Sequence, residues 1–118
     1  MTKIVFYKHD GAFWGFRETG HAGFASAGHD VLCAALSAMS MLVINTLEVA
    51  YAADVDYRID EKTTDITVKC SAALGTNSDE KQQYAVHGLI YGYYLQLNDM
   101  LEDYYDYLDV DVEERAYR

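Results

Sequence analysis

Cysteine is scarce in this chain, with two among 118 residues. Small secreted domains that depend on disulfides carry many more, and residues 1–10 hold only a short apolar run rather than the core of a signal peptide. We therefore expect no disulfide framework, a cytoplasmic location and a reactive thiol as the more interesting use of cysteine.

Basic residues are also few. Nine Lys and Arg stand against nineteen Asp and Glu, which gives a formal net charge of −10 at pH 7. Such a surface repels phosphate backbones, so we expect no direct binding of nucleic acid. The same acidity would attract a basic protein or peptide and speed its encounter with this chain.

One apolar stretch, Val31 to Ala53, is long enough to span a membrane and carries a single charge, Glu48. Acidic Asp30 and Asp54 bracket it, basic flanking residues are missing, and several polar side chains interrupt it. We interpret it as a buried helix of a small folded domain and predict no membrane contact.

The chain contains no internal repeat and no low-complexity linker. A length of 118 residues with 51% hydrophobic content supports one core and is short for two, so residues 1–118 are predicted to form a single domain. Two short apolar segments that flank a polar turn predict a first β-hairpin, and alternation of apolar and polar residues predicts a second hairpin and a last strand. The first hairpin joins Ile4–Tyr7 to Phe13–Phe16 through the turn Lys8–Gly11. The second joins Val55–Ile59 to Ile66–Cys70 through the turn Glu61–Thr64, and the last strand is Tyr107–Val112.

Two long helices complete the predicted fold, which is α+β with the helices packed on the sheet. Asp30 is expected to be the N-cap of the first helix, and Asn77 with Glu80 suggests a capping box for the second. Residues at helical spacing predict the buried stripe of the second helix. They are Tyr84, His87, Tyr91, Tyr94, Leu95 and Leu101.

The candidate catalytic residues lie within residues 20–38, where His21 ends a predicted strand and Cys33 lies in the first turn of a predicted helix. If Asp30 is the N-cap, Cys33 is the third helical residue, where unsatisfied N–H groups and the macrodipole favour thiolate over thiol. The glycine-rich segment between them could bring the imidazole of His21 to the sulfur, forming a Cys–His dyad.

Other residues of this segment have candidate supporting roles. Ser37 lies one helical turn beyond Cys33, where its hydroxyl could reach the active site or bond to a backbone carbonyl. The segment Ala22 to Gly28, with Gly23, Phe24 and Gly28 as its characteristic residues, is expected to be a gate that closes over a bound peptide. A zinc site of His21, His29 and Cys33 is disfavoured because no usual ligand spacing occurs, and no metal is predicted.

The elements Gly20-His21-Ala22, Gly28-x-Asp30 and Cys33-Ala34-Ala35-x-Ser37-Ala38 resemble the signature of the ribosomal-processing cysteine protease (Prp) family. The similarity extends over nearly the whole chain. It implies a peptidase without cofactor that removes a short N-terminal extension from ribosomal large-subunit protein twenty-seven, cutting after an aromatic residue. It also implies Cys33 as nucleophile, His21 as base, Asp30 and Ser37 as supporting residues, and a homodimer.

Two alternative functions remain open. The main one is a non-enzymatic acidic protein that holds a basic ribosomal protein during ribosome assembly, and a redox or metal sensor is a weaker one.

The tyrosines of the C-terminal third could line a peptide groove, pack in the core or form a dimer contact. Cys70 shares a strand face with Ile66 and Val68 and is predicted to be a core residue.

Overall fold

The first two strands form a hairpin that is longer than the apolar segments Ile4–Tyr7 and Phe13–Phe16 predict. The structure is a computed structural model that describes residues 1–20, 27–75 and 78–118, with the backbone alone for residues 27–30. Strand β1 spans Thr2–His9 and β2 spans Ala12–Thr19. The turn residues Asp10 and Gly11 have φ of 50° and 82°, a left-handed conformation that Gly and Asp tolerate well.

A β-bulge at Trp14 changes which face of the sheet the aromatic residues of β2 occupy. Tyr7 pairs with Gly15 while Lys8 pairs with Phe13, so Trp14 is the extra residue. Phe13 consequently packs with Phe6 on the face that carries the helices, and Trp14 stacks on Tyr7 on the opposite face.

The second hairpin matches its prediction: β3 spans Val55–Ile59 and β4 spans Ile66–Cys70. The last predicted strand is confirmed as β5, Leu108–Glu114, which lies parallel to β1. The sheet is therefore mixed, with five strands in the order β3-β4-β2-β1-β5. This order places β2, which leads towards His21, in the centre of the sheet.

The first helix, α1, spans Ala27–Asn45 and continues into a π-helical turn at Thr46–Ala50. The predicted N-cap at Asp30 is therefore wrong, because the helix begins three residues earlier. The prediction assigned Ala27 and Gly28 to the gate segment, but glycine only lowers helix propensity, and its cost relative to alanine is about 1 kcal/mol. The apolar segment Val31–Ala50 within α1 and the π turn is long and apolar enough to cross a membrane, as core helices of folded domains often are.

The second helix, α2, spans Glu80–Tyr104 and is capped by Asp79, whose side chain accepts the N–H of Gln82 at 2.8 Å. The predicted capping residue Asn77 lies outside the described residues. The predicted buried stripe is also wrong, since Tyr84 is 82% exposed. The buried residues of α2 are Val86, Ile90, Tyr93 and Leu97. The predicted stripe and the buried residues both have helical spacing, because apolar side chains cover a wide arc of this helix. Spacing alone does not show which part of that arc faces the sheet.

The core lies between the two helices and one face of the sheet. Its largest fully buried side chains on that face include Phe6, Phe16, Leu36, Ile44 and Ile90. The α+β fold with two hairpins, a final strand and two long helices is confirmed.

Candidate active site

Cys33 lies in the second turn of α1 and is partly buried. Counting from Ala27, it is the seventh helical residue rather than the third. The unsatisfied N–H groups of the helix start therefore belong to residues 27–30, one turn before the thiol. Because the effect of the macrodipole falls off within the first turn, the helix start contributes less to activation of Cys33 than the sequence suggested.

The other predicted member of the dyad, His21, lies outside the described residues, as do Gly23 and Phe24 of the predicted gate. Their roles stay predictions. Gly28, the third gate residue, has helical backbone in the first turn of α1, so its placement in a loop between strand and helix is wrong. The strand that leads to His21 ends at Thr19, and Gly20 follows with φ of 87°. A Cβ on Gly20 would collide with the carbonyl oxygen of Met1, so this turn requires glycine.

The two predicted supporting residues lie on α1 on either side of Cys33. Asp30 is within the helix, and its side chain lies outside the described part of the chain. Ser37, one turn after Cys33, is exposed to solvent. Its supporting role stays a prediction.

The environments of the two thiols differ in the way that the sequence predicts. Cys70 is 0% exposed and belongs to the core, whereas Cys33 is only partly buried. Burial raises the pKa of the Cys70 thiol, with the charge of Asp54 adding to this and a backbone hydrogen bond to Ala72 opposing it. A buried thiol held in its neutral form is a poor nucleophile, so Cys33 is the thiol that is suited to chemistry.

A buried polar cluster that the sequence analysis did not identify lies between the sheet and the helices. Glu18 and Ser40 are 0% exposed, and Tyr93 is 5% exposed. The Ser40 hydroxyl donates a hydrogen bond to Glu18 Oε1 at 2.6 Å, and the Tyr93 hydroxyl donates to the same oxygen. A sequence signal for it exists, because Glu18 lies two residues after Phe16 on β2 and must therefore point to the same face.

The remaining histidine and tyrosine predictions are resolved by the packing. The Nδ1 atom of His87 accepts the backbone N–H of Phe13 at 3.0 Å. It is only partly buried and stacks on Tyr91. Tyr93 and Tyr94 pack against Phe6, whereas Tyr105 is 68% exposed. The tyrosines therefore do not form one groove.

Among the described side chains, the group whose potential metal-ligand atoms lie within 4.8 Å of one another is His9, Asp10 and Glu114. It is at the tip of the first hairpin, where His9 is close enough to both carboxylates to form ion pairs. Cys33 does not belong to it. The disfavoured zinc site involves His21 and His29, whose side chains lie outside the described part of the chain.

Comparison with solved structures shows the same fold in bacterial proteins of nearly identical length. The structure of SMU.848 from Streptococcus mutans has a TM-score of 0.80 at 23% identity, covering 98% of this chain and 99% of that one. The ribosomal processing protease Prp from S. aureus in complex with a substrate peptide has a TM-score of 0.78 at 16% identity, covering 96% and 100%. The same protease with a covalently linked product peptide gives 0.75 at 20% identity, with the same coverage.

Sequence comparison leads to the same group. No protein among curated sequences matches this chain. The family described as cysteine protease Prp, however, matches residues 1–109, which include the described Cys33 and the sequence motif around His21. On this match the chain is a cysteine protease that belongs to the Prp family.

Proposed function

We propose that this chain removes the N-terminal extension of ribosomal large-subunit protein twenty-seven, with Cys33 as nucleophile and His21 as base. The observation that carries the proposal is the contrast between the two thiols: Cys70 is sealed in the core, and Cys33 is partly exposed on α1 within the family motif. The S. aureus relative, whose structure contains a substrate peptide, supports a peptide as the substrate.

In the proposed reaction, His21 takes the proton of Cys33, and the thiolate attacks the carbonyl carbon of the scissile bond. The C–N bond breaks as the imidazolium of His21 returns a proton to the leaving amine, which leaves a thioester on Cys33. Water, activated by His21, then hydrolyses the thioester and releases the second product as a carboxylate. Backbone N–H groups at the start of α1, residues 27–30, are candidate donors to the oxyanion.

The acidic surface supports recognition of a basic substrate. Eight acidic residues and no basic residue occur between positions 99 and 114, and all eight are exposed. They are Asp99, Glu102, Asp103, Asp106, Asp109, Asp111, Glu113 and Glu114. This region would attract a ribosomal protein by long-range electrostatics, so the acidity that favoured a binding protein is equally useful to the protease.

We place the reaction in the cytoplasm, where both thiols would stay reduced.

We further propose a homodimer that forms through the exposed apolar surface between α1 and α2. A cavity of about 280 Å³ lies there, lined mainly by apolar residues of both helices, including Leu42 and Leu89. Gly88 and Gly92 of α2 leave open space beside it, which permits close approach of another helix. A second copy is the favoured occupant, because an uncharged face lets two chains of charge −10 meet with the least repulsion.

The experiment that tests the protease function uses the two thiols as a matched pair. The purified chain is incubated with the N-terminal peptide of its own organism's ribosomal protein twenty-seven, and the products are identified by mass spectrometry. We expect cleavage at one bond by the wild type and by Cys70→Ala, and none by Cys33→Ala. Binding of the intact peptide without cleavage by the wild type would instead support the acidic binding protein.

A further inference from the structure

A cavity of about 540 Å³ lies at the tip of the first hairpin, between the hairpin and α2. This volume is within the range of small-molecule binding sites. Four of the lining residues carry aromatic rings, and they are Phe13, His87, Tyr91 and Tyr94. Strand β2 runs from this tip to Thr19 over roughly 25 Å, so the cavity is separate from the strand end that precedes His21.

The three rings contributed by α2 form a row of nearly parallel planes. Tyr91 stacks on His87 with ring centroids 5.5 Å apart at an interplanar angle of 11°, and on Tyr94 at 6.2 Å and 18°. Phe13, which is 6% exposed, packs against Tyr91 with centroids 5.0 Å apart and joins the row to the sheet. Tyr91 itself is 38% exposed. The row is therefore an ordered aromatic surface that solvent reaches.

Two features of the cavity wall are set before any ligand binds. The orientation of His87 is fixed because its Nδ1 accepts the backbone N–H of Phe13 at 3.0 Å, which places the ring proton on Nε2. A Cβ atom on Gly11 would meet no other atom within 4 Å, so the hairpin tip leaves open space at the cavity. A wall of this kind loses little conformational entropy when a ligand binds.

Lys8 gives the cavity its charge. Its partly buried side chain lines the cavity and forms no ion pair with any side chain that the structure describes. The nearest acidic residue in the strand register is Glu114, whose carboxylate accepts the N–H of Asp10 at 3.0 Å and lies 3.6 Å from His9 Nδ1. The carboxylate of Glu114 is thus engaged at the turn, and the ammonium group of Lys8 is available to a ligand.

We propose that this cavity binds an aromatic carboxylate, a planar ring that bears a carboxylate group. The ring stacks on Tyr91, and the carboxylate accepts a charge-assisted hydrogen bond from Lys8 Nζ. A cationic ligand would be repelled by Lys8, and an aliphatic anion would leave the aromatic faces without a stacking partner. The net charge of −10 opposes the approach of an anion, but salt screens distant charges beyond about 8 Å, so the adjacent ammonium group decides.

Titration of the purified full chain with 2-naphthoate tests the proposal. In isotope-labelled protein, the amide NMR resonances of Gly11 and Phe13 should shift and reach saturation, because both residues line the cavity. We expect Lys8→Met and Tyr91→Ala each to weaken binding by roughly ten- to a hundredfold. These losses correspond to one charge-assisted hydrogen bond and one stacking contact.

Matched probes and variants separate the two contacts. Naphthamide has the same ring without the charge, so Lys8→Met should change its affinity little. Cyclohexanecarboxylate keeps the charge without an aromatic face and should bind at least about tenfold more weakly than 2-naphthoate. Tyr84→Ala is the control on α2, since Tyr84 is 82% exposed, and it should bind as the wild type does. If Tyr91→Ala does not fold, Lys8→Met, which keeps an apolar stem, carries the test.

N-acetylphenylalanine distinguishes two sources of this chemistry, because it carries the ring and the carboxylate of a peptide C-terminus. Tighter binding of N-acetylphenylalanine than of 2-naphthoate would identify a peptide C-terminus, and the reverse order a free aryl acid. Either order supports the proposal if Lys8→Met weakens binding. Binding that does not saturate at millimolar concentration, an equal affinity for cyclohexanecarboxylate, or an affinity that Lys8→Met leaves unchanged overturns it.

Discussion

The indole Nε1–H of Trp14 donates a hydrogen bond to the backbone carbonyl of Arg115 at 2.9 Å. The ring of Tyr117 packs edge-on against the indole with centroids 4.9 Å apart, and the guanidinium of Arg115 lies 4.9 Å from the ring centroid of Tyr7. Trp14 is 0% exposed, so residues 115–118 help to bury it on the face of the sheet opposite the helices. These residues lie beyond the segment matched by the family, 1–109.

Deletion of residues 115–118 is expected to expose Trp14 and lower the melting temperature. The free energy of unfolding should fall by about 1–3 kcal/mol, because the deletion removes the aromatic contact with Tyr117, two hydrogen bonds of the Arg115 backbone and an exposed hydrogen bond to the Arg118 carbonyl. Trp14 is the single tryptophan, so its fluorescence emission should shift to the red. Arg118→Ala, which keeps the carbonyl of Arg115, is the control and should leave the emission unchanged. An unshifted spectrum after deletion would show that the tail does not seal Trp14.

Alkaline pH is expected to destabilise the fold through Cys70 and Tyr93. Burial raises both pKa values from ordinary values of 9.0 and 10.0, so the folded chain holds these protons more tightly than the unfolded chain. Their stabilising contribution is complete below pH 9 and is lost as pH rises above the unfolded pKa values. The slope for each group approaches about 1.4 kcal/mol per pH unit.

Urea unfolding at several pH values between 8 and 11 measures this slope. Cys70→Ala should flatten the curve from about pH 9 and Tyr93→Phe from about pH 10, near the ordinary pKa of each group. Tyr84→Phe is the control for tyrosine, since Tyr84 is 82% exposed. A slope unchanged by either core variant would contradict the role of these buried protons.

Ser40→Ala is expected to lower the free energy of unfolding by about 1–3 kcal/mol, because it removes a donor from the buried carboxylate of Glu18. Ser37→Ala, one turn away on the same helix but exposed, should leave stability within about 0.5 kcal/mol of the wild type. Denaturant unfolding of the two variants makes the comparison. If Ser40→Ala changed the free energy of unfolding as little as Ser37→Ala, the buried hydrogen bond would add nothing to stability.

Leu42→Glu is expected to separate the proposed dimer into monomers. Leu42 is 60% exposed in the single chain, so a charge there costs the monomer little and opposes the apolar contact between copies. Light scattering after size-exclusion chromatography should give twice the chain mass of 13.3 kDa for the wild type and the chain mass for the variant. Tyr105→Glu, at a site 68% exposed beyond the end of α2, should remain dimeric. A monomeric wild type throughout the micromolar range would contradict the interface.

Local patterns account for the parts of the fold that were predicted accurately. The alternation in Val55–Ile59 and Ile66–Cys70 matches β3 and β4, because side chains of a strand alternate between a buried and an open face. Cys70 was assigned to the core on the same basis. The motif around Cys33 was recognisable because it is contiguous in sequence and requires no knowledge of long-range packing.

The sequence alone thus determined the strands, the existence of the two helices, the core position of Cys70 and the family motif that contains Cys33. Tertiary structure decided which arc of α2 is buried, since Tyr84 and Val86 both fit a helical stripe and only the sheet selects between them. It also decided that the bulge turns Trp14 away from the helices, and that Glu18 meets Ser40 and Tyr93 from elements far apart in the chain. Propensity and periodicity depend on near neighbours, whereas these contacts exist only once β2, α1 and α2 have packed together.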